Sequence, residues 1–182
     1  MPFASSPQPV FLHAATHHNA HGWSLSELLV VLALVALGAS TALPSWQTWQ
    51  ERQQILAARE RLRMDLQVAR IQAMQTAQAL SLQATRDCAW HSRTATDWSC
   101  GWQLIEQASQ RALQTTALSY PLQVSFTKST PLLISAQGHL GQVGDRWTVQ
   151  SRAGLRGNIP NAQSLCLSGA GRLRVVSGSI CS

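Results

Sequence analysis

The sequence predicts an α+β protein: one long N-terminal α-helix, with a transmembrane half and an amphipathic half, packed on antiparallel β-sheet. Three observations lead there. An apolar run extends from Trp23 to Leu43. Past Pro44, a glycine-free stretch of strong helix formers places apolar side chains at steps of three, four and seven. Beyond Ala84 the texture changes to short alternating segments broken at Gly, Pro, Asn and Asp. At 182 residues the chain can bury one core and carry an anchoring segment, but is short for two domains.

The first segment, Met1 to His21, has no Lys, Arg, Asp or Glu and no helix or strand period. His13, His17, His18 and His21 lack any accompanying carboxylate or cysteine, so they read as a removable tail and no metal or cofactor is expected. As a helix, the 21 residues from Trp23 to Leu43 would be about 31 Å long, close to the hydrocarbon thickness of a bilayer. A secretory signal is usually shorter and ends in a small-residue cleavage site, which "GASTA" matches poorly. Glu27 is the single acid of this run and stands at its start.

From residue 44 to about 84 the second helix half is expected to bury Ile55, Ala58, Leu62, Leu66, Ala69, Ala73 and Leu80. Arg52, Arg59, Arg63 and Arg70 fall on the other face, where solvation is the plain reading. Pro44 is the interior breaker and the place for a bend. Residues 85–182 hold the strand candidates "GWQLIEQ", "ALQTTALSYPLQVSFT", "PLLISA", "RWTVQS", "SLCLS" and "RLRVVS". Trp98, Trp102 and Trp147 are expected in the core, and His91 and His139 at the surface.

The cysteines form two local pairs, Cys88 with Cys100 and Cys166 with Cys181, without the CxxC spacing of a zinc or redox site. Of the three connectivities the local one is favoured, because each short loop closed removes roughly 3 kcal/mol of unfolded-state entropy. Disulfides imply an oxidising compartment such as the periplasm. Charge is sparse, at 12% of residues, and net +6. From Lys128 onward, Lys128, Arg146, Arg152, Arg156, Arg172 and Arg174 face only Asp145, so an anionic partner should meet the C-terminal third. The chain has no Gly-rich phosphate loop, no HExxH and no triad-like motif, so no enzymatic activity is expected.

Gly22, Trp23, Ser24-Leu25-Ser26, Glu27 and the run "LLVVLALVAL" resemble the N-terminal signature of type IV pilins and pseudopilins. "DWSCGW" (Asp97 to Trp102) and "LCLSGAGRLR" followed by Cys181 narrow the resemblance to the GspH/FimT group, over the chain from Gly22 to its end. The leader departs from the family in lacking Lys and Arg, and Trp replaces the commoner Phe or Met after the glycine. The resemblance implies a pilin-like fold and cleavage by prepilin peptidase after Gly22. Residues 1–22 would then be a leader and Trp23 a methylated N-terminus held in the inner membrane. Glu27 becomes mature position five and registers the subunit against other pilins, and Pro44 becomes the helix-bending proline at mature position 22.

Arg172 and Arg174 lie two apart, so on a strand they project from one face while Leu173 points inward. Paired guanidiniums can hold successive phosphates, and Arg152 and Arg156 in "SRAGLRGN" are candidates for the same patch. Gly171-Arg172-Leu173-Arg174 matches the GRxR motif that FimT-type minor pilins associate with DNA capture, implying sequence-independent binding of double-stranded DNA. The plain alternative is an edge strand kept soluble by charge. Two other functional expectations stand beside the minor pilin: a type II secretion pseudopilin H, and a membrane-tethered periplasmic enzyme.

Overall fold

The computed structural model describes residues 24–92, 94–141, 144–152, 162–168 and 171–181, with backbone alone at 41–45. The leader, Gly22, Trp23 and Arg156 lie outside these residues. The chain divides between Leu43 and Pro44 into two units, though both contribute to one helix, α1, Leu25–Thr76.

In the second unit α1 buries the face its periodicity selects. Ile55, Ala58, Leu62, Leu66, Ala69 and Ala73 join a single core with residues of both sheets. The helix ends earlier than its composition suggests. Ala77 takes the left-handed conformation at φ 53°, and the Gln78 amide donates to the Ala73 carbonyl at 3.2 Å, closing the last turn. Leu80–Ala84 is therefore strand β1, and Leu80 is a strand residue of the core, not part of the helical stripe. Leu, Gln and Ala favour helix intrinsically, but β1 is hydrogen-bonded on both sides, and that tertiary pairing outweighs a propensity difference of a few tenths of a kcal/mol per residue.

Among the described residues, eight strands form two four-stranded antiparallel sheets. The first has the order β3 (Ala112–Ala117), β2 (Gly101–Glu106), β1, β5 (Leu132–Ile134). The second has β4 (Leu122–Phe126), β6 (Arg146–Ser151), β7 (Gln163–Leu167), β8 (Leu173–Ser177). The segment "ALQTTALSYPLQVSFT" thus splits between the sheets, with Pro121 in the connection where a ladder donor is not needed. Arg59 is not merely solvated: its guanidinium donates to the Gln163 side chain at 3.0 Å, linking α1 to β7.

The "DWSCGW" segment ties the sheets to each other and to the helix. Residues 96–99 run along the outer edge of β4, with Trp98 N donating to Val124 O and Phe126 N to Thr96 O, each at 2.8 Å. Cys100 bonds Cys88, and Trp98 packs against Phe126 and Trp147. Gly101 has φ 113°, and a Cβ there would lie 2.0 Å from the Thr116 carbonyl oxygen, so only glycine fits. The indole of Trp102 donates to Asp65 of α1 at 2.9 Å.

Asp97, 5% exposed, anchors this loop. It accepts from the Ser99 amide at 2.9 Å, the Ser99 hydroxyl and the Ser92 amide at 2.6 Å. His91, expected at the surface, is largely buried, with Nδ1 3.4 Å from Asp97 Oδ2. Burial alone would raise the Asp97 pKa, but the hydrogen bonds from Ser99 and Ser92 outweigh it and hold the carboxyl below its ordinary value. A depressed folded pKa adds stability above the unfolded value and loses it as pH falls through the folded one. The chain should therefore lose stability progressively below about pH 4. Asp97→Asn should be less stable at neutral pH and should flatten this acid limb in urea titrations across pH. An unaltered acid limb in the variant would assign the pH dependence to other groups.

Candidate functional site

The basic candidate site is built on the β7–β8 hairpin. Its turn is closed by Ser168 N to Arg172 O at 2.9 Å and Gly171 N to Ser168 O at 2.8 Å, while the Ser168 hydroxyl accepts from the Arg172 amide at 3.1 Å. Gly171 adopts φ 70°, the left-handed conformation that glycine allows without strain. β8 is the edge strand of its sheet. Leu173 packs against the core, while Arg172 and Arg174 are exposed, as the alternation requires.

The far end of β8 is fastened as well. Gly178 donates to Ala162 O at 2.7 Å, its carbonyl accepts from the Ser164 hydroxyl at 2.6 Å, and Cys181 is disulfide-bonded to Cys166. Both bridges are the local ones. Cys166 pairs directly with Arg174 in the β7–β8 ladder, so the disulfide is seated beside the second arginine.

Arg152 does not join this patch. Its guanidinium is part-buried and donates to the Trp90 carbonyl, which commits it to holding the Cys88–Cys100 loop. Shared charge groups Arg152 with Arg172 and Arg174 in the sequence, but the hydrogen-bond partner that claims Arg152 is 62 residues away.

A second candidate site lies at the start of α1. Ser24 N donates to Glu27 Oε2 at 3.0 Å, and Glu27 N donates to Ser24 Oγ at 3.2 Å. This is a reciprocal capping box, satisfying two backbone donors that the helix itself leaves open. The Ser-x-x-Glu spacing is the sequence signal that identifies Ser24. After Glu27 the first unit exposes Leu28, Leu29, Val30, Leu32, Leu34, Val35 and Leu37. A helix apolar on all sides is one that membrane or protein covers. Among the described residues no helix is long and apolar enough to cross a membrane. The expected span reaches beyond them, to Trp23 and to the side chains of Thr41, Ala42 and Leu43. Pro44 lies inside α1 with its side chain likewise outside the described residues.

Asp65 is a buried polar position that the sequence pattern does not single out. It sits on the buried side of α1, 8% exposed, and accepts from Trp102 Nε1 at 2.9 Å, Thr116 Oγ1 at 2.8 Å and Gln114 Nε2 at 3.1 Å, with Arg61 Nε at 3.4 Å. It fastens the helix to β2 and β3 and has a structural role.

No protein-family model matches the sequence, and no curated protein does. Among solved structures, the type IV minor pilin FimU of Pseudomonas aeruginosa PAO1 is similar in two crystal forms. One gives 24% identity and a TM-score of 0.55 over 70% of this chain and 92% of that one. The other gives 24% identity and a TM-score of 0.52 over 66% and 91%. The minor pseudopilin EpsH of the Vibrio cholerae type 2 secretion system aligns at 14% identity and a TM-score of 0.47, over 67% and 94%. Similarity at the FimU level shows architecture, and the architecture is the one described above: this chain has the pilin-like fold, a long N-terminal α-helix packed on antiparallel sheets.

Proposed function

We propose that the chain is a minor subunit of a type IV pilus. Prepilin peptidase cuts after Gly22, Trp23 becomes the methylated N-terminus, and the Trp23 to Leu43 segment holds the subunit in the inner membrane until it is added among other pilins. The observation that carries this reading is the uncovered apolar stretch of α1 that begins directly after Glu27, in a chain with the pilin-like fold. Pro44 supplies the bend that lets such a helix fit its neighbours. The β-rich domain stays outside the membrane, stapled by its two disulfides, and presents Arg172 and Arg174 to the phosphates of double-stranded DNA, independent of sequence.

In the free subunit the Glu27 carboxylate is occupied by the Ser24 amide. In the filament it would also face the α-amino group of an adjoining subunit, the one cation that cleavage creates at that depth. A carboxylate in hydrocarbon costs roughly 2.5–3.5 kcal/mol at the centre of a span and less near an end, so a cationic partner there favours assembly. Glu27→Ala should still reach the membrane but be strongly depleted from sheared pili, and mass analysis of the wild-type terminus should find methylated Trp23. Undiminished incorporation of the variant would remove the role given to Glu27. A deletion strain that loses protein secretion but keeps transformation would place the chain in a secretion pseudopilus instead.

A further inference from the structure

A third arginine shares a face with Arg174. In the second sheet Arg146 of β6 pairs with Cys166 of β7, and Cys166 pairs with Arg174 of β8. Directly opposed residues of antiparallel strands project from the same face, so Arg146, Cys166 and Arg174 form a row across three strands. Trp147, Val149 and Leu165 alternate with them and belong to the core, which puts the row on the opposite, outward face. Two strand spacings separate the Cα atoms of Arg146 and Arg174 by about 10 Å, and Arg172 stands about 7 Å from Arg174 along the chain.

The three guanidiniums share a further property. Among the described residues none donates a hydrogen bond or makes an ion pair, which is also true of Arg52, Arg70, Arg86 and Arg111, whereas Arg59, Arg61, Arg63 and Arg152 all do. Arg146 is half-buried, and its Nε is enclosed without a partner. The Nε atoms of Arg59 and Arg152 are enclosed in the same way, but those two guanidiniums donate through their other nitrogens within the chain, whereas that of Arg146 does not and is left available to an external acceptor. The strand neighbours on this face, Thr148, Gln150 and Ser164, are neutral, and Asp145, next to Arg146 in sequence, is buried and paired with Lys128 at 2.7 Å.

We propose that Arg146 is a third phosphate-binding residue. The site is then a triangle of arginines around the Cys166–Cys181 bridge, and a duplex lies across the strands of the sheet, not along the edge of β8 alone. This rests on the DNA-binding reading and deepens it.

The test is a salt series of equilibrium titrations, using the full chain in detergent and a labelled random-sequence duplex. Three phosphate contacts give a slope of log affinity against log salt of about −2.7, and Arg146→Gln should reduce it to about −1.8. Arg146→Lys, which keeps the charge, should retain the wild-type slope. A footprint of the unaltered chain needs no variant to fold: duplex should protect Arg146, Arg172 and Arg174 together from phenylglyoxal. An unchanged slope in Arg146→Gln, or equal labelling of Arg146 with and without duplex, overturns the role of Arg146 while leaving DNA binding intact. Absence of any binding by the wild-type chain overturns both.

Discussion

Replacing Arg172 and Arg174 together with glutamine is expected to weaken duplex binding by about two orders of magnitude at low salt, on the order of tenfold for each charged hydrogen-bond donor removed. Both side chains are exposed and support nothing in the core, so the double variant should keep its fold and both disulfides. The weakening should be uniform across DNA sequences, because phosphate contacts position a duplex without reading it. Competition with unrelated duplexes, alongside near-ultraviolet circular dichroism of the variant, measures both expectations. A double variant that binds as the wild type does would return these arginines to the plain role of keeping an edge strand soluble. Reduction of Cys166–Cys181 in the wild-type chain bears on the same site, since that bridge fastens the C-terminal segment to the strand beside Arg174.

Asp65→Ala should be strongly destabilising, at about 3–5 kcal/mol, the range seen when one member of a buried charged network is deleted. Little of this comes from Arg61, which is 57% exposed and largely screened. The larger part comes from the Trp102 indole and the Thr116 hydroxyl, both buried donors that would be left without an acceptor. Asp65→Asn should cost less, since it keeps one carbonyl oxygen in place. Urea unfolding of the full chain in detergent, followed by the fluorescence of its buried tryptophans, measures the change. A cost below about 1 kcal/mol for Asp65→Ala would mean that apolar packing alone holds the helix to β2 and β3.

These two sites differ in how far the sequence exposes them. Arg172 and Arg174 are two apart on an alternating strand, so their common exposure follows from local periodicity. Asp65 looks like one more charge on a helix rich in arginine and glutamine. Its three hydrogen-bond donors on the sheet lie 37 to 51 residues further along the chain, on β2 and β3. No local pattern encodes that meeting.

The same division runs through the molecule. Spacing along the chain is enough to specify the buried stripe from Ile55 to Ala73, the tryptophans of the core, the α+β class and the local cysteine pairs. Each depends on side-chain period within a few turns or on short loops. Other features exist only once distant segments have met: Leu80–Ala84 as a central strand, the sharing of strands between two sheets, the commitment of Arg152 to the Trp90 carbonyl, and the alignment of Arg146 with Arg174. Those outcomes depend on which strands pair and in what register, and a register shift of one residue would turn Arg146 or Arg174 to the other face. Register is set by contacts between distant segments, which a reading along the chain does not contain.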